Sequence, residues 1–357
     1  MTPSDSADSA GADPYAELLD YGRRLGAGLD HLHAGGAPEL AATAREVICR
    51  ADKLTLYRYL PRVAAPQKTP LLIVYALVNR PTMTDLQPDR SLVRGLLDAG
   101  LEVYLIDWGY PDRADRLLTL DDYVNGYLHD CVETVCARHG LPAIHVLGIC
   151  QGGVLSLAYA ALHPGRVRNL IPMVTPVDFH VPEFLLTKLV RPLDLELMIG
   201  TLGNMPGPLL NFLFLSLSPF RQGRQKYVHV ADLAEDPGAL ANFVRMEHWI
   251  YDCPDLAGTA FREFVTATFH DNRLVRGDFE IGGRRVDPAR LLMPMLNIYA
   301  TRDHIVPPQS SQALRRLYGG RDYSEIAFDG GHIGIYVSRQ ASRQIAPAIA
   351  DWLRSRG

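Results

Sequence analysis

Scarcity says as much about this 357-residue chain as abundance does. Five cysteines, an odd number without framework spacing, argue against a secreted disulfide scaffold and fit a reducing compartment. Cys131 and Cys136 lie five residues apart on one predicted helix, which is neither a zinc nor a redox spacing. With Cys49 and Cys253 they read as small apolar packers, and no metal site is expected. Basic excess is absent too: 36 Lys and Arg face 40 Asp and Glu, for a net charge of −4, and they are scattered rather than striped. Nothing there calls for nucleic acid. The most apolar run, Leu209 to Leu217, is far shorter than the ~20 residues that span a bilayer. The first residues, MTPSDSADSAGADP, lack the basic and apolar regions of a signal peptide, so 1–14 reads as a disordered tail and the location as cytoplasmic.

What remains is an ordinary globule, 47% apolar and 21% charged, long enough to suggest about two domains. From Pro14 to about Arg50 apolar positions recur at helical spacing around the Gly35-Gly36 turn, which predicts two helices. Lys53–Leu60 alternates like a half-exposed strand, and Pro70–Tyr75 is continuously apolar like a central one. A periodic pattern follows: helix Ser91–Ala99, strand Glu102–Asp107, helix Leu120–Arg138, strand Ile144–Leu147, helix Val154–Leu162, strand Leu170–Val174. Strands alternating with helices imply a mostly parallel sheet with helices on both faces. The alternation stops between residues 177 and 291, a stretch rich in X-Pro pairs and leucine-rich pieces that ends in a hairpin over Asp278–Val286. It is too long for a structureless loop, which predicts a lid or cap inserted into a core of 15–176 and 292–357. Strand Met295–Ala300, helix Gln309–Leu317, strand Tyr323–Phe328 and helix Gln340–Arg354 close the pattern. There is no internal repeat.

The chemistry centres on Gly148-Ile149-Cys150-Gln151-Gly152, the glycine spacing of a nucleophile elbow with cysteine in place of serine. A strand before it and a helix after it are the context that motif needs. Asp303 follows one predicted strand and His332 another, in a glycine turn. The order Cys150, Asp303, His332 is the nucleophile, acid, histidine order of an α/β-hydrolase fold. Asp178, just past the strand at 170–174, is a rival acid, and His304 is read as solvent-facing or supporting. For the oxyanion the elbow supplies the N–H of Gln151, and the loop ALVNRP supplies another near Val78.

GICQGG, LIDWGYP at 105–111, MVTPVDF at 173–179 and GGHIGIYVS at 330–338 together resemble the polyhydroxyalkanoate synthases, collinearly from about residue 15 onward. In length and detail the chain is most similar to the catalytic subunit of the class III enzymes, with class IV as the neighbouring alternative. The resemblance implies that Cys150 holds the growing chain, that His332 is its base, and that Asp303 is the acid and assists the incoming hydroxyl. It further implies an (R)-3-hydroxyacyl-CoA substrate, with 3-hydroxybutyryl-CoA as the first expectation, and no bound cofactor because the CoA thioester is itself the substrate. A second, non-catalytic subunit, a homodimer and residence at the polyester granule surface belong to the same expectation. A cysteine thioesterase or simple acyltransferase, and a non-catalytic binding protein of the same fold, are the competing readings.

Overall fold

The computed structural model describes residues 23, 40–217 and 236–356. The predicted tail and the first predicted helix lie outside these residues, apart from Arg23, which is helical. Contacts divide the chain into two compact units, one of 1–38 with 218–248, the other of 39–217 with 249–357. In the first, most of the Pro237–Tyr251 helix is described.

The second unit holds twelve strands: β1 (Arg45–Ala51), β2 (Leu54–Tyr59), β3 (Leu71–Val74), β4 (Asp85–Gln87), β5 (Arg90–Ser91), β6 (Val103–Asp107), β7 (Ile144–Ile149), β8 (Val167–Met173), β9 (Glu280–Ile281), β10 (Arg284–Arg285), β11 (Met295–Ala300) and β12 (Tyr323–Phe328). Eight form one sheet in the order β1-β2-β6-β3-β7-β8-β11-β12. From β6 to β12 every neighbour is parallel, while β1 and β2 run antiparallel at one edge. Strands β3, β6, β7 and β11 are buried at every position, as strands covered on both faces must be. Their apolar runs were legible for that reason. Helices Leu92–Asp98 and Arg339–Arg354 pack so closely together that a Cβ at Gly95 would stand 2.8 Å from that of Ala346.

Three expectations need correction. The second predicted helix does not reach Arg50, because 45–51 is the edge strand β1. It has no fully buried position, so its apolar spacing carried no face; cross-strand pairs decide it instead, with the Arg45 guanidinium 3.9 Å from the Tyr57 ring centroid and Glu46 bonded to Arg58 at 3.0 Å. The helix expected at 120–138 is α at Leu120 and Asp121, π over Asp122–Leu128 and α again over His129–His139. That at 309–317 is broken at Ala313 into Pro308–Gln312 and Leu314–Leu317. A ribbon of β4 and β5 was not anticipated; it is tied down by buried Asp85, which accepts bonds from the Thr43 and Ser91 hydroxyls.

Between β8 and β11 the described residues are mainly helical, and the stretch closes with the β9–β10 hairpin over Gly282 and Gly283, both at positive φ. Phe179, Phe184, Phe264 and Phe269 form one aromatic cluster with ring centroids 4.8 to 6.4 Å apart, joining the start of the insert to its last helices. Leu120 N–H donates to Glu263 at 2.7 Å and Asn204 to the Asp112 carbonyl at 2.7 Å, anchoring the insert to the loops beyond β6.

Candidate active site

Strand β7 ends at Ile149, and Cys150 turns the chain into the Gln151–Leu162 helix with φ 54° and ψ −121°. A side chain at positive φ costs about 1–3 kcal/mol, which the surroundings must impose. They do so through close packing. Cys150 N–H donates to Met173 O and Gly153 N–H to Cys150 O, each at 2.9 Å. A Cβ at Gly148 would come within 2.6 Å of Gly153 Cα and Ser156 Oγ, and one at Gly152 would overlap the carbonyls of Val74 and Tyr75. The half-buried thiol is thereby presented at the positive end of a twelve-residue helix, where an anion is favoured.

Asp303 and His332 stand beyond the carboxyl ends of β11 and β12. His332 Nδ1 lies 2.6 Å from Asp303 Oδ2, and both side chains are almost wholly buried. The other carboxylate oxygen accepts the N–H groups of Ile305 and Val306, each at 2.9 Å, which fixes its direction. Burial alone would lower the His332 pKa. The Asp303 carboxylate outweighs it, and with the charge and hydrogen bond of Cys150 raises the imidazole to about 10. The structure therefore brings Cys150, His332 and Asp303 together. Asp178 is engaged elsewhere, paired to Arg316 at 2.5 Å and bonded by Asn272 at 2.9 Å. His304 is half-buried beside the acid.

Gln151 and the ALVNRP loop also meet. The buried side chain of Gln151 accepts the N–H of Leu77 at 3.1 Å, which binds the loop after β3 to the elbow and leaves the N–H of Val78 without a protein acceptor among the described residues. This loop is braced from the LIDWGYP stretch. Trp108 donates to Tyr75 O at 2.9 Å, and Arg80 pairs with Asp107 at 2.6 Å while reaching Gly109 O at 3.1 Å. A largely buried, directional pair of this kind holds position more firmly than a surface bridge does.

Sequence reasoning missed two tyrosines. Tyr75 and Tyr336 are both buried, near enough to each other and to Cys150 to interact electrostatically, and burial raises both phenols above their ordinary value. No motif marks Tyr75, which merely ends an apolar strand. Gly153 was missed as well, although its doubled glycine was visible: a side chain there would collide with Thr175. Among the described residues no helix is long and apolar enough to cross a membrane, and no cluster of three metal-binding side chains occurs.

Comparison with known proteins accords with this geometry. The alpha/beta hydrolase fold family matches residues 69–338, and the poly-beta-hydroxybutyrate polymerase (PhaC) N-terminus matches residues 31–96. The poly(3-hydroxyalkanoate) polymerase subunit PhaC of Thiocystis violacea is 52% identical over 341 residues, covering 95% of this chain and 96% of the relative. The subunit of the same name from Synechocystis sp. is 48% identical over 349 residues, covering 95% and 92%. A candidate lipase from Sulfolobus solfataricus superposes with a TM-score of 0.56 at 15% identity, covering 88% of this chain and 99% of its own, a likeness of fold alone. The chain accordingly belongs to the PhaC family as a class III polyhydroxyalkanoate synthase catalytic subunit, an α/β-hydrolase-fold enzyme that polymerises hydroxyacyl-CoA.

Proposed function

We propose that the enzyme builds its polyester from (R)-3-hydroxyacyl-CoA, with 3-hydroxybutyryl as the acyl group, through a thioester on Cys150. His332 takes the proton of the Cys150 thiol, and the sulfur attacks the thioester carbonyl. The oxyanion so formed accepts from the N–H groups of Gln151 and Val78, each donor contributing about 3 kcal/mol. Collapse breaks the carbon–sulfur bond to CoA, which leaves with the proton from His332. In the second half the 3-hydroxyl of another acyl unit gives its proton to His332 and attacks the acyl-cysteine carbonyl. The new ester bond forms as the Cys150 thiolate departs and recovers the proton. One CoA is released for each ester made.

Cysteine suits this work because a thiolate, with a pKa near 8.5, leaves far more readily than a serine alkoxide, so the stored acyl group stays activated. Asp303 acts through His332: with one oxygen on the imidazole and the other on two backbone N–H groups, it holds Nδ1–H and turns Nε2 toward the sulfur. The observation that carries this reading is the buried 2.6 Å His332–Asp303 pair beside a cysteine held at positive φ. Residues 177–291 serve as a lid that keeps water from the acyl enzyme, in a cytoplasmic protein that works with a second, non-catalytic subunit, forms a homodimer and sits at the granule surface.

Product stoichiometry tests the reading. With (R)-3-hydroxybutyryl-CoA, released CoA should exceed free 3-hydroxybutyrate, insoluble ester should accumulate, and Cys150→Ala should do neither, with or without the second subunit. One free acid per CoA would instead make this a thioesterase toward that substrate.

A further inference from the structure

A cleft of about 540 Å³ opens where the chain leaves β8 and enters the insert, and none of Cys150, Asp303 or His332 lines it. Its titratable lining is of one kind: His180, Lys188 and Arg191, with no carboxylate among the lining residues. Apart from Thr187, the remaining walls are apolar, formed by Val181, Pro182, Pro192 and Phe184. Lys188 and Arg191 are exposed, and Asp178, two residues before His180, is paired with Arg316. The floor is rigid. His180 Nε2 donates to Phe269 O at 3.0 Å, Thr187 Oγ1 to Phe179 O at 2.6 Å, and Phe179 stacks on Phe184 at 5.5 Å.

Concentrated cations beside apolar proline and phenylalanine side chains suit a ligand that carries phosphates beside a planar ring. The substrate of this enzyme has such an end, remote from its thioester. His180 follows Met173, whose carbonyl Cys150 N–H reaches, by seven residues, so the cleft lies no more than about 25 Å along the chain from that carbonyl. An extended phosphopantetheine arm covers a comparable span.

We propose that this cleft binds the phosphorylated nucleotide end of the acyl-CoA, with Lys188 and Arg191 on the phosphates and the purine against Pro182 and Pro192. The inference concerns where CoA is held and does not depend on which acyl group is used or on the role given to Cys150. Its contribution is to binding, so it enters through KM rather than through the chemical step.

The test compares two substrates on the full chain with its second subunit: (R)-3-hydroxybutyryl-CoA, and the same acyl group as its N-acetylcysteamine thioester, which lacks the nucleotide. In Lys188→Glu/Arg191→Glu the KM for the CoA substrate should rise about tenfold or more with kcat kept, since charge-assisted contacts are of that size. Values for the truncated thioester should not change, and adenosine 3′,5′-bisphosphate should inhibit the parent enzyme but not the variant. Unaltered KM for the CoA substrate, or an equal loss with both substrates, would overturn the proposal. The milder Lys188→Gln/Arg191→Gln keeps the comparison usable if charge reversal disturbs the fold. Failure of the Cys150 reading would look different, because Cys150→Ser would then keep turnover with both substrates.

Discussion

The elbow helix and the insert helices are similar in local structure and opposite in how their residues are used. Every residue from Gln151 to Leu162 is buried, and its first turn touches the backbone of β3. In the insert, by contrast, Leu197 is 68% exposed and Phe212 64% exposed on helices that are otherwise apolar. One region is packed so closely that single atoms decide its geometry. The other turns apolar side chains outward, beyond what folding requires.

The sharpest break in this contrast is at the elbow. Cys150→Ala should lower acyl transfer roughly 10⁴-fold or more without unfolding the protein, measured as CoA release; residual polymer at near-native rate would remove the nucleophile assignment. Next comes Asp303→Asn, expected to lower turnover about 10²–10⁴-fold. If elongation proceeds normally there, Asp178 regains its claim. The same variant has a pH signature. His332 is raised above its unfolded value near 6.5 to about 10, so its contribution to stability is fully present below pH 6.5 and lost as pH rises through about 10. Urea midpoints should therefore fall more steeply between pH 6.5 and 10 in the parent than in Asp303→Asn.

Gly152→Ala adds one methyl group against the carbonyls of Val74 and Tyr75 and should cost on the order of 3 kcal/mol, read as a lower urea midpoint. The insert should behave differently. Phe212→Ser removes an exposed ring and should change stability by no more than about 0.5 kcal/mol, whereas Phe214→Ser, half-buried against the core, should cost about 1–3 kcal/mol. Both should raise the ratio of free acid to polymer; an unchanged ratio in folded variants would leave the insert without a shielding role. The smallest effect is in thiol labelling: Cys150 should react in the native state and Cys131 only on unfolding, since burial raises that thiol and hides it.

The grouping of Cys150, Asp303 and His332 was legible because each stands alone after a strand, next to turn-forming residues: Gly148 and Gly152 around Cys150, Gly330 and Gly331 before His332. Asp303 was ambiguous with a turn cap and turns out to serve both purposes, one oxygen for the turn and one for the imidazole. The strands of the sheet centre were equally plain, since burial on both faces leaves an unbroken apolar run. β1 was misread because a strand with neither face buried has no period to show.

Taken alone, then, the sequence determined the order of the segments at the sheet centre, the candidate nucleophile with the two residues proposed as its partners, and the existence of an insert, because these depend on local pattern and chain order. Tertiary structure decided what depends on residues distant along the chain: the Gln151 bond to Leu77, the Arg80–Asp107 brace and the buried Tyr75–Tyr336 pair. It alone decided that Asp303 rather than Asp178 faces His332. Both aspartates follow strands, and Asp178 is engaged instead by Arg316 and Asn272, 138 and 94 residues away along the chain.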